Sequence, residues 1–117
     1  YFHYCRTMET KTAVTLLAAL AQETRLAIFR LLVVQGEAGL CAGKIGEALS
    51  IAPATLSFHL KELARAGLID SRQEGRFIYY RAQFAALGGL LAYLVEDCCG
   101  GAHDCGLPKL PDCVSCD

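Results

Sequence analysis

The sequence predicts a mainly α-helical domain that carries one short β-hairpin. Three observations lead there. Apolar residues recur at helical spacing over most of the stretch from Met8 to Ala66. The period then changes: Leu68-Ile69-Asp70-Ser71-Arg72 and Arg76-Phe77-Ile78-Tyr79-Tyr80 are strand-like runs separated by Gln73-Glu74-Gly75. Helical spacing returns from Gln83 to Asp97, where Phe84, Leu87, Leu91 and Leu94 alternate steps of three and four.

The first helix is expected over Met8 to Ala21, with Val14, Leu16, Leu17, Ala18 and Leu20 forming its apolar part. A second runs from Thr24, as N-cap, to Gln35, with Leu26, Ile28, Phe29, Leu31 and Leu32 turned inward. Gly36 and Gly39 end it. A short third helix covers Cys41 to Leu49, and Ser50-Ile51-Ala52 is a turn-length gap. Pro53 suits the first position of a fourth helix, where its missing N–H costs nothing, and Gly67 supplies the stop after Ala66. The hairpin closes through Gly75, where a positive φ is expected. The element order is α1-α2-α3-α4-β1-β2-α5. Two helices joined by a short turn and followed by a hairpin make a winged helix-turn-helix with a two-stranded wing.

Bulk properties agree with one domain. The chain has 117 residues, and 54% of them are apolar. That fraction is high for so modest a core, so part of the apolar surface is expected between subunits. No apolar run approaches the ~20 residues of a membrane span. Tyr1 to Thr7 has neither the apolar stretch nor the cleavage pattern of a secretory signal and is given no structural role, so His3 and Cys5 are set aside. The expected organisation is a folded domain over 8–97 and a cysteine-rich tail over 98–117.

The net charge of −1 is unevenly spread. Between Cys41 and Arg81 six basic residues face four acidic ones, whereas from Glu96 onward one lysine faces five acids. A basic middle can approach phosphates; an acidic tail does not. Seven cysteines is an odd number, and five of them (Cys98, Cys99, Cys105, Cys113, Cys116) fall after residue 97. A secreted disulfide scaffold spreads its cysteines, so the thiols are expected to be reduced and the protein cytoplasmic. A terminal thiol cluster then suggests a soft-metal or metalloid site.

In the fourth helix Leu56, Leu60 and Leu63, with Ala64 beside them, are expected to pack inward. Thr55, Ser57, Phe58, His59 and Lys61 are left facing out near its N-terminal end, the part of a recognition helix that meets the major groove. Hydroxyls at Thr55 and Ser57 can bond phosphates or base edges, His59 and Lys61 can reach phosphates, and Phe58 can touch thymine methyls or the hairpin. Arg72 and Arg76, near the hairpin tip, are expected to reach the DNA backbone or minor groove.

The run Pro53-Ala54-Thr55-Leu56-Ser57-Phe58-His59-Leu60-Lys61-Glu62-Leu63, then Ala66-Gly67-Leu68-Ile69 and Glu74-Gly75-Arg76-Phe77-Ile78-Tyr79-Tyr80, resembles the ArsR/SmtB family of metal- and metalloid-responsive repressors. Leu20-Ala21-Gln22-Glu23-Thr24-Arg25-Leu26-Ala27-Ile28 resembles it too, and the likeness extends over roughly Leu16 to Cys105. It implies a symmetric homodimer on inverted-repeat operator DNA, released when an ion binds. It further implies that the first and last helices build the dimer, here through Leu16, Leu20, Phe84, Leu87, Leu91 and Leu94.

Where the family's founding arsenite sensors carry a Cys-Val-Cys pair, this chain has Cys41-Ala42-Gly43, so that site lacks a ligand and Cys41 is expected to be a small buried residue. The last helix offers Glu96, Asp97 and then His103, without the Asp-x-His arrangement of zinc-sensing relatives. The tail is the remaining place. Cys98 follows Leu94 by one helical turn, Cys99 adjoins it, and Gly100-Gly101 lets Cys105 return to the pair. Three soft ligands in a pyramid suit As(III) or Sb(III), whereas four tetrahedral thiolates suit zinc. The spacing also resembles arsenite-responsive members with cysteines at the end of the last helix. Methylarsenite, cadmium, lead, zinc or thiol oxidation remain alternative inputs, and Cys113-Val114-Ser115-Cys116 is a separate CxxC with no assigned role. A thiol-dependent enzyme is a distant third reading, because a helix C-terminus raises thiol pKa and no catalytic constellation accompanies the cysteines.

Overall fold

The structure is a computed structural model that describes residues 8–97. Its elements are α1 (Thr10–Leu20), α2 (Glu23–Gln35), a one-turn 3-10 helix (Gly36–Ala38), β1 (Leu40–Cys41), α3 (Ala42–Leu49), α4 (Pro53–Ala66), β2 (Ile69–Glu74), β3 (Phe77–Ala82) and α5 (Phe84–Leu94). The chain divides into two compact units. One is Val14–Gln83; the other joins the described residues before Val14 to those from Phe84 onward.

Within Val14–Gln83 the core is built from stripes. On α2 the buried residues are Ile28, Phe29 and Leu32, while Leu26, expected inward, is exposed because it lies off that stripe. Ile45 from α3, Leu56, Leu60 and Leu63 from α4, Leu68 just before β2, and Ile69 and Ala82 from the sheet are buried with them. Each of α2, α3 and α4 packs on the other two, and β2 and β3 close the remaining side. Burying such side chains at ~1.5–3 kcal/mol each is what holds the helices together. Ala64 corrects a second expectation: it is exposed, since it follows Leu63 around the helix and leaves the stripe.

The cap of α2 is Gln22 and not Thr24: its side-chain oxygen accepts from the Arg25 N–H at 2.9 Å. α4 begins with Pro53 in its first turn and stops at Gly67, whose N–H reaches the Leu63 and Ala64 carbonyls. Between α3 and α4, Ser50 takes the left-handed conformation (φ 56) and Ile51 donates back to the Gly46 carbonyl at 3.0 Å, which makes the turn tight.

The sheet has three strands in the order β1-β3-β2, so the expected two-stranded wing gains a partner at its base. Leu40 and Cys41 pair antiparallel with Tyr80 and Tyr79. β2 and β3 pair from Ile69↔Ala82 to Glu74↔Phe77, which leaves Gly75 and Arg76 as a two-residue turn. Gly75 has φ 64 and Arg76 has no positive φ, the pattern of a II′ hairpin turn whose twist matches the strands.

In the other unit, α5 buries Leu90 and leaves Leu91 and Leu94 exposed, and the Tyr93 hydroxyl lies 2.7 Å from the Thr10 hydroxyl. The helix ends at Leu94 and not at Asp97, which has φ 55. Among the described residues no helix is long and apolar enough to cross a membrane.

Candidate nucleic-acid interface

The face of α4 opposite its leucines starts at Thr55 and continues through Ser57, Phe58 and Lys61, all exposed. Their side chains sit in the first three turns, on a helix whose other side is locked by Leu56, Leu60 and Leu63. Phe58 keeps 56% of its surface open.

His59 does not belong to this face. It is only 8% exposed, and its Nδ1 lies 3.3 Å from Nη1 of Arg25. Arginine can only donate, so Nδ1 must present its lone pair. The spacing explains the correction: 56, 59, 60 and 63 are the i, i+3, i+4, i+7 positions of one helical stripe, so His59 was bound to point inward with the leucines. The Phe58 ring stands edge-on to the His59 ring at 5.3 Å. Through His59 α4 is tied to the preceding elements, because Arg25 also donates from Nε to the Ala19 carbonyl at 2.7 Å. Sequence reasoning gave Arg25 no part. We expect Arg25→Ala to lower stability by roughly 1.5–3 kcal/mol through these two charge-assisted contacts, read as a lower urea midpoint with unchanged slope.

The wing has two faces, fixed by the register. One carries Asp70 with Arg81, Arg72 with Tyr79, and Glu74 with Phe77. Here Arg81 donates to Asp70 at 3.0 Å and pairs with Glu37 from the 3-10 helix, while Gln83 donates to Asp70 at 2.7 Å. The hydrogen bond to Asp70, then the Asp70 and Glu37 charges, raise the Arg81 guanidinium pKa above its ordinary value. Arg72 is similarly occupied. It bonds Glu74 at 2.6 Å and the Ala38 carbonyl at 2.9 Å, and its guanidinium lies 5.4 Å from the centre of the Tyr79 ring. The expectation that Arg72 reaches out from the hairpin tip is therefore corrected: two residues from Glu74 on the same strand face, its guanidinium is held along the exposed protein surface by these contacts. Arg76, in the turn itself, has no ion-pair partner among the described residues.

The residues expected in a dimer seam differ in how far they are exposed. Leu16 is 2% exposed within the single chain, because Ala13, Leu16 and Ala19 form the buried stripe of α1. It has no surface left to give a partner. The exposed apolar residues of α1 are Val14 and Leu17, which the sequence reading did not select. Leu20, Phe84 and Leu87 are half-buried, and Leu91 and Leu94 are exposed.

Cys98, Cys99 and Cys105 lie outside the described residues, as do Cys113 and Cys116. Among the described residues no group of three or more His, Cys, Asp or Glu side chains could hold a metal ion. Cys41 stands at the N-cap of α3, half-buried and free.

Residues 20–72 match the family model of a helix-turn-helix domain. The chain is 37% identical over 68 residues to a putative arsenical resistance operon repressor of Halobacterium salinarum, covering 58% of this chain and 52% of that one. It is 38% identical over 61 residues to a cadmium resistance transcriptional regulatory protein of Listeria innocua, covering 52% and 50%. It thus spans about half the length of these curated relatives. Among solved structures it is similar to an ArsR-like transcriptional regulator from Rhodococcus sp. RHA1, with a TM-score of 0.64, 32% identity, and coverage of 72% of this chain and 76% of that one. It also resembles a homodimeric winged helix-turn-helix DNA-binding domain from Mycobacterium bovis, with a TM-score of 0.60, 29% identity, and coverage of 80% and 87%. With the winged helix-turn-helix in place and these likenesses beside it, the chain belongs to the ArsR/SmtB family of transcriptional regulators.

Proposed function

We propose that this regulator is a dimeric repressor of double-stranded operator DNA that is released by As(III) or Sb(III). The observation that carries the DNA reading is the exposed face of α4: Thr55, Ser57, Phe58 and Lys61 stand clear of a helix otherwise buried in the core. Hydroxyls and a lysine at the start of a rigidly seated helix are the groups that bond phosphates and base edges. Arg76 adds a cation at the wing turn that has no ion-pair partner among the described residues. Arg25 and His59 position the reading helix from behind and touch no DNA.

Dimerisation is supported by the exposed apolar residues of α1 (Val14, Leu17) and of α5 (Leu91, Leu94) and by the homodimeric relative. Two copies related by a two-fold axis present two reading helices to two half-sites.

The inducer would be held by the thiolates of Cys98, Cys99 and Cys105. Three thiolates closing on a trivalent metalloid at the end of the last helix would favour a dimer whose reading helices no longer match the operator. The relative named for arsenical resistance supports this input, and the one named for cadmium resistance supports a second reading in which Cd(II) takes the same thiols, with a fourth ligand.

Electrophoretic mobility shift with the full chain and the DNA upstream of its own gene tests the reading. Retardation that disappears on adding arsenite is expected. Absence of retardation without arsenite would overturn the DNA-binding reading. Retardation insensitive to arsenite but abolished by Cd(II) would replace the first inducer with the second.

A further inference from the structure

A cavity of about 440 Å3 opens in the angle between α3 and α4, wholly within the unit Val14–Gln83. That volume falls in the ~300–1,000 Å3 range of small-molecule sites. Leu56 and Leu60 of α4, each 3% exposed, form its floor, and Ile51 and Pro53 add apolar wall. From α3 come mainly small residues, Ala42, Gly43 and Gly46. The two glycines differ. A Cβ on Gly46 would stand 3.1 Å from the Ile51 carbonyl oxygen and 3.4 Å from a Leu56 methyl, so the tight turn favours glycine there. A Cβ on Gly43 would meet nothing within 4 Å. Packing makes no demand for glycine at that position, and its lack of a side chain keeps the cavity open.

Three polar side chains border this space. The hydroxyls of Ser57 and Tyr80 make no hydrogen bond among the described residues. Glu47 is the charged residue of the lining, and with its side chain 78% exposed it stands at the open side. Its ion pair with Lys44, one turn back on the same helix, spans 4.0 Å between two exposed groups. A pair of that kind is worth little, so the carboxylate is available to a stronger partner. An anion in the cavity would meet Glu47, and a wholly apolar molecule would leave the hydroxyls unused. We propose that the cavity binds a small organic cation, with its apolar body on Leu56 and Leu60 and its ammonium group at Glu47 within reach of a hydroxyl. Ser57 belongs to the cavity and also to the exposed face of α4, so the occupant and DNA compete for it.

Tryptamine, an indole carrying an ammonium group, and tryptophol, the same indole carrying a neutral hydroxyl, probe the full chain. The protein has no tryptophan, so indole fluorescence reports the probe. Saturable binding of tryptamine is expected, with tryptophol roughly two- to fivefold weaker, the range of an exposed ion pair. Glu47→Gln should remove that preference and leave tryptophol binding unchanged. Gly43→Leu, with its fold checked by circular dichroism, should fill the space and weaken both probes by more than about tenfold. Mobility shift on the upstream DNA at constant ionic strength reads the competition: tryptamine should lower the DNA affinity of wild type severalfold and leave that of Gly43→Leu unaltered. This last step rests on the DNA-binding reading, whereas the titrations need no DNA, so the two fail separately. No saturable tryptamine binding, or binding by folded Gly43→Leu equal to wild type, would overturn the site. Equal binding of tryptamine and tryptophol to wild type would overturn the cationic ligand. DNA affinity indifferent to tryptamine would overturn the competition. Should Gly43→Leu fail to fold, the response of Glu47→Gln to the two probes decides: a preference for tryptamine that survives the substitution overturns the proposal.

Discussion

Gly39→Ala should destabilise the protein by about 3 kcal/mol or more, among the largest effects of any single-methyl addition to this chain. Gly39 has φ 72 and ψ −169, a region that side chains other than glycine's hardly enter. A Cβ placed there would stand 2.5 Å from the Tyr80 carbonyl oxygen and 3.2 Å from its carbon. Neither neighbour can retreat cheaply. Tyr80 is paired with Leu40 on one side and Ser71 on the other, so moving it breaks the ladder across all three strands. The Arg81–Glu37 and Arg72–Ala38 contacts fasten the same corner. Urea unfolding followed by circular dichroism reads the loss as a lower midpoint. Gly43→Ala is the matched control: it lies in the first turn of α3, its Cβ meets nothing within 4 Å, and its stability should stay within about 0.5 kcal/mol of wild type. Equal stability of Gly39→Ala and wild type would refute the account of this corner.

That corner also shows where reading the sequence stops. α4 was legible to the residue at both ends, since Pro53 and Gly67 act locally and the leucine spacing acts along one helix. β1 was not. Leu40-Cys41 is too short to show a period of two, and its reason for being a strand lies forty residues away in Tyr79 and Tyr80. The cap of α2 escaped because glutamine is not among the short side chains favoured at that position, and Thr24 stood nearby. His59 is a different case. Its burial was written in the spacing of Leu56, Leu60 and Leu63, and its polarity concealed it. The buried ring is tolerated because Arg25 donates to it, a partner that no local pattern shows. Arg72 likewise looked free until Glu74, on the same strand face, and the Ala38 carbonyl were seen to occupy it. Leu16 went wrong in the opposite sense: its place in the seam came from the family resemblance, while the Ala13-Leu16-Ala19 spacing already marked a core stripe.

Cys98→Ser should leave operator binding intact and abolish its release by arsenite. Cys98 follows Leu94 by four residues and adjoins Cys99, so on the proposed reading it anchors the thiolate set at the end of the last helix. Serine matches its size but offers a hard, protonated hydroxyl where a soft metalloid requires a thiolate. The energetics leave little margin. A hundredfold release of DNA requires the ligand to distinguish two dimer states by about 2.7 kcal/mol. Three thiolates supply that discrimination only if all three must move to close the site. With two, the metalloid can still bind, yet the geometry that couples binding to the reading helices is gone, and a ligand without differential affinity shifts nothing. Ultraviolet charge-transfer titration should therefore fall from three thiolates per site to two in Cys98→Ser, while mobility shift shows the DNA complex persisting in arsenite. Cys113→Ser should behave as wild type in both assays, because it lies outside the proposed set. Normal release from Cys98→Ser would remove the tail site from consideration. A wild-type stoichiometry of two would point to methylarsenite, and of four to cadmium or zinc, since the count of sulfur ligands is what each ion selects.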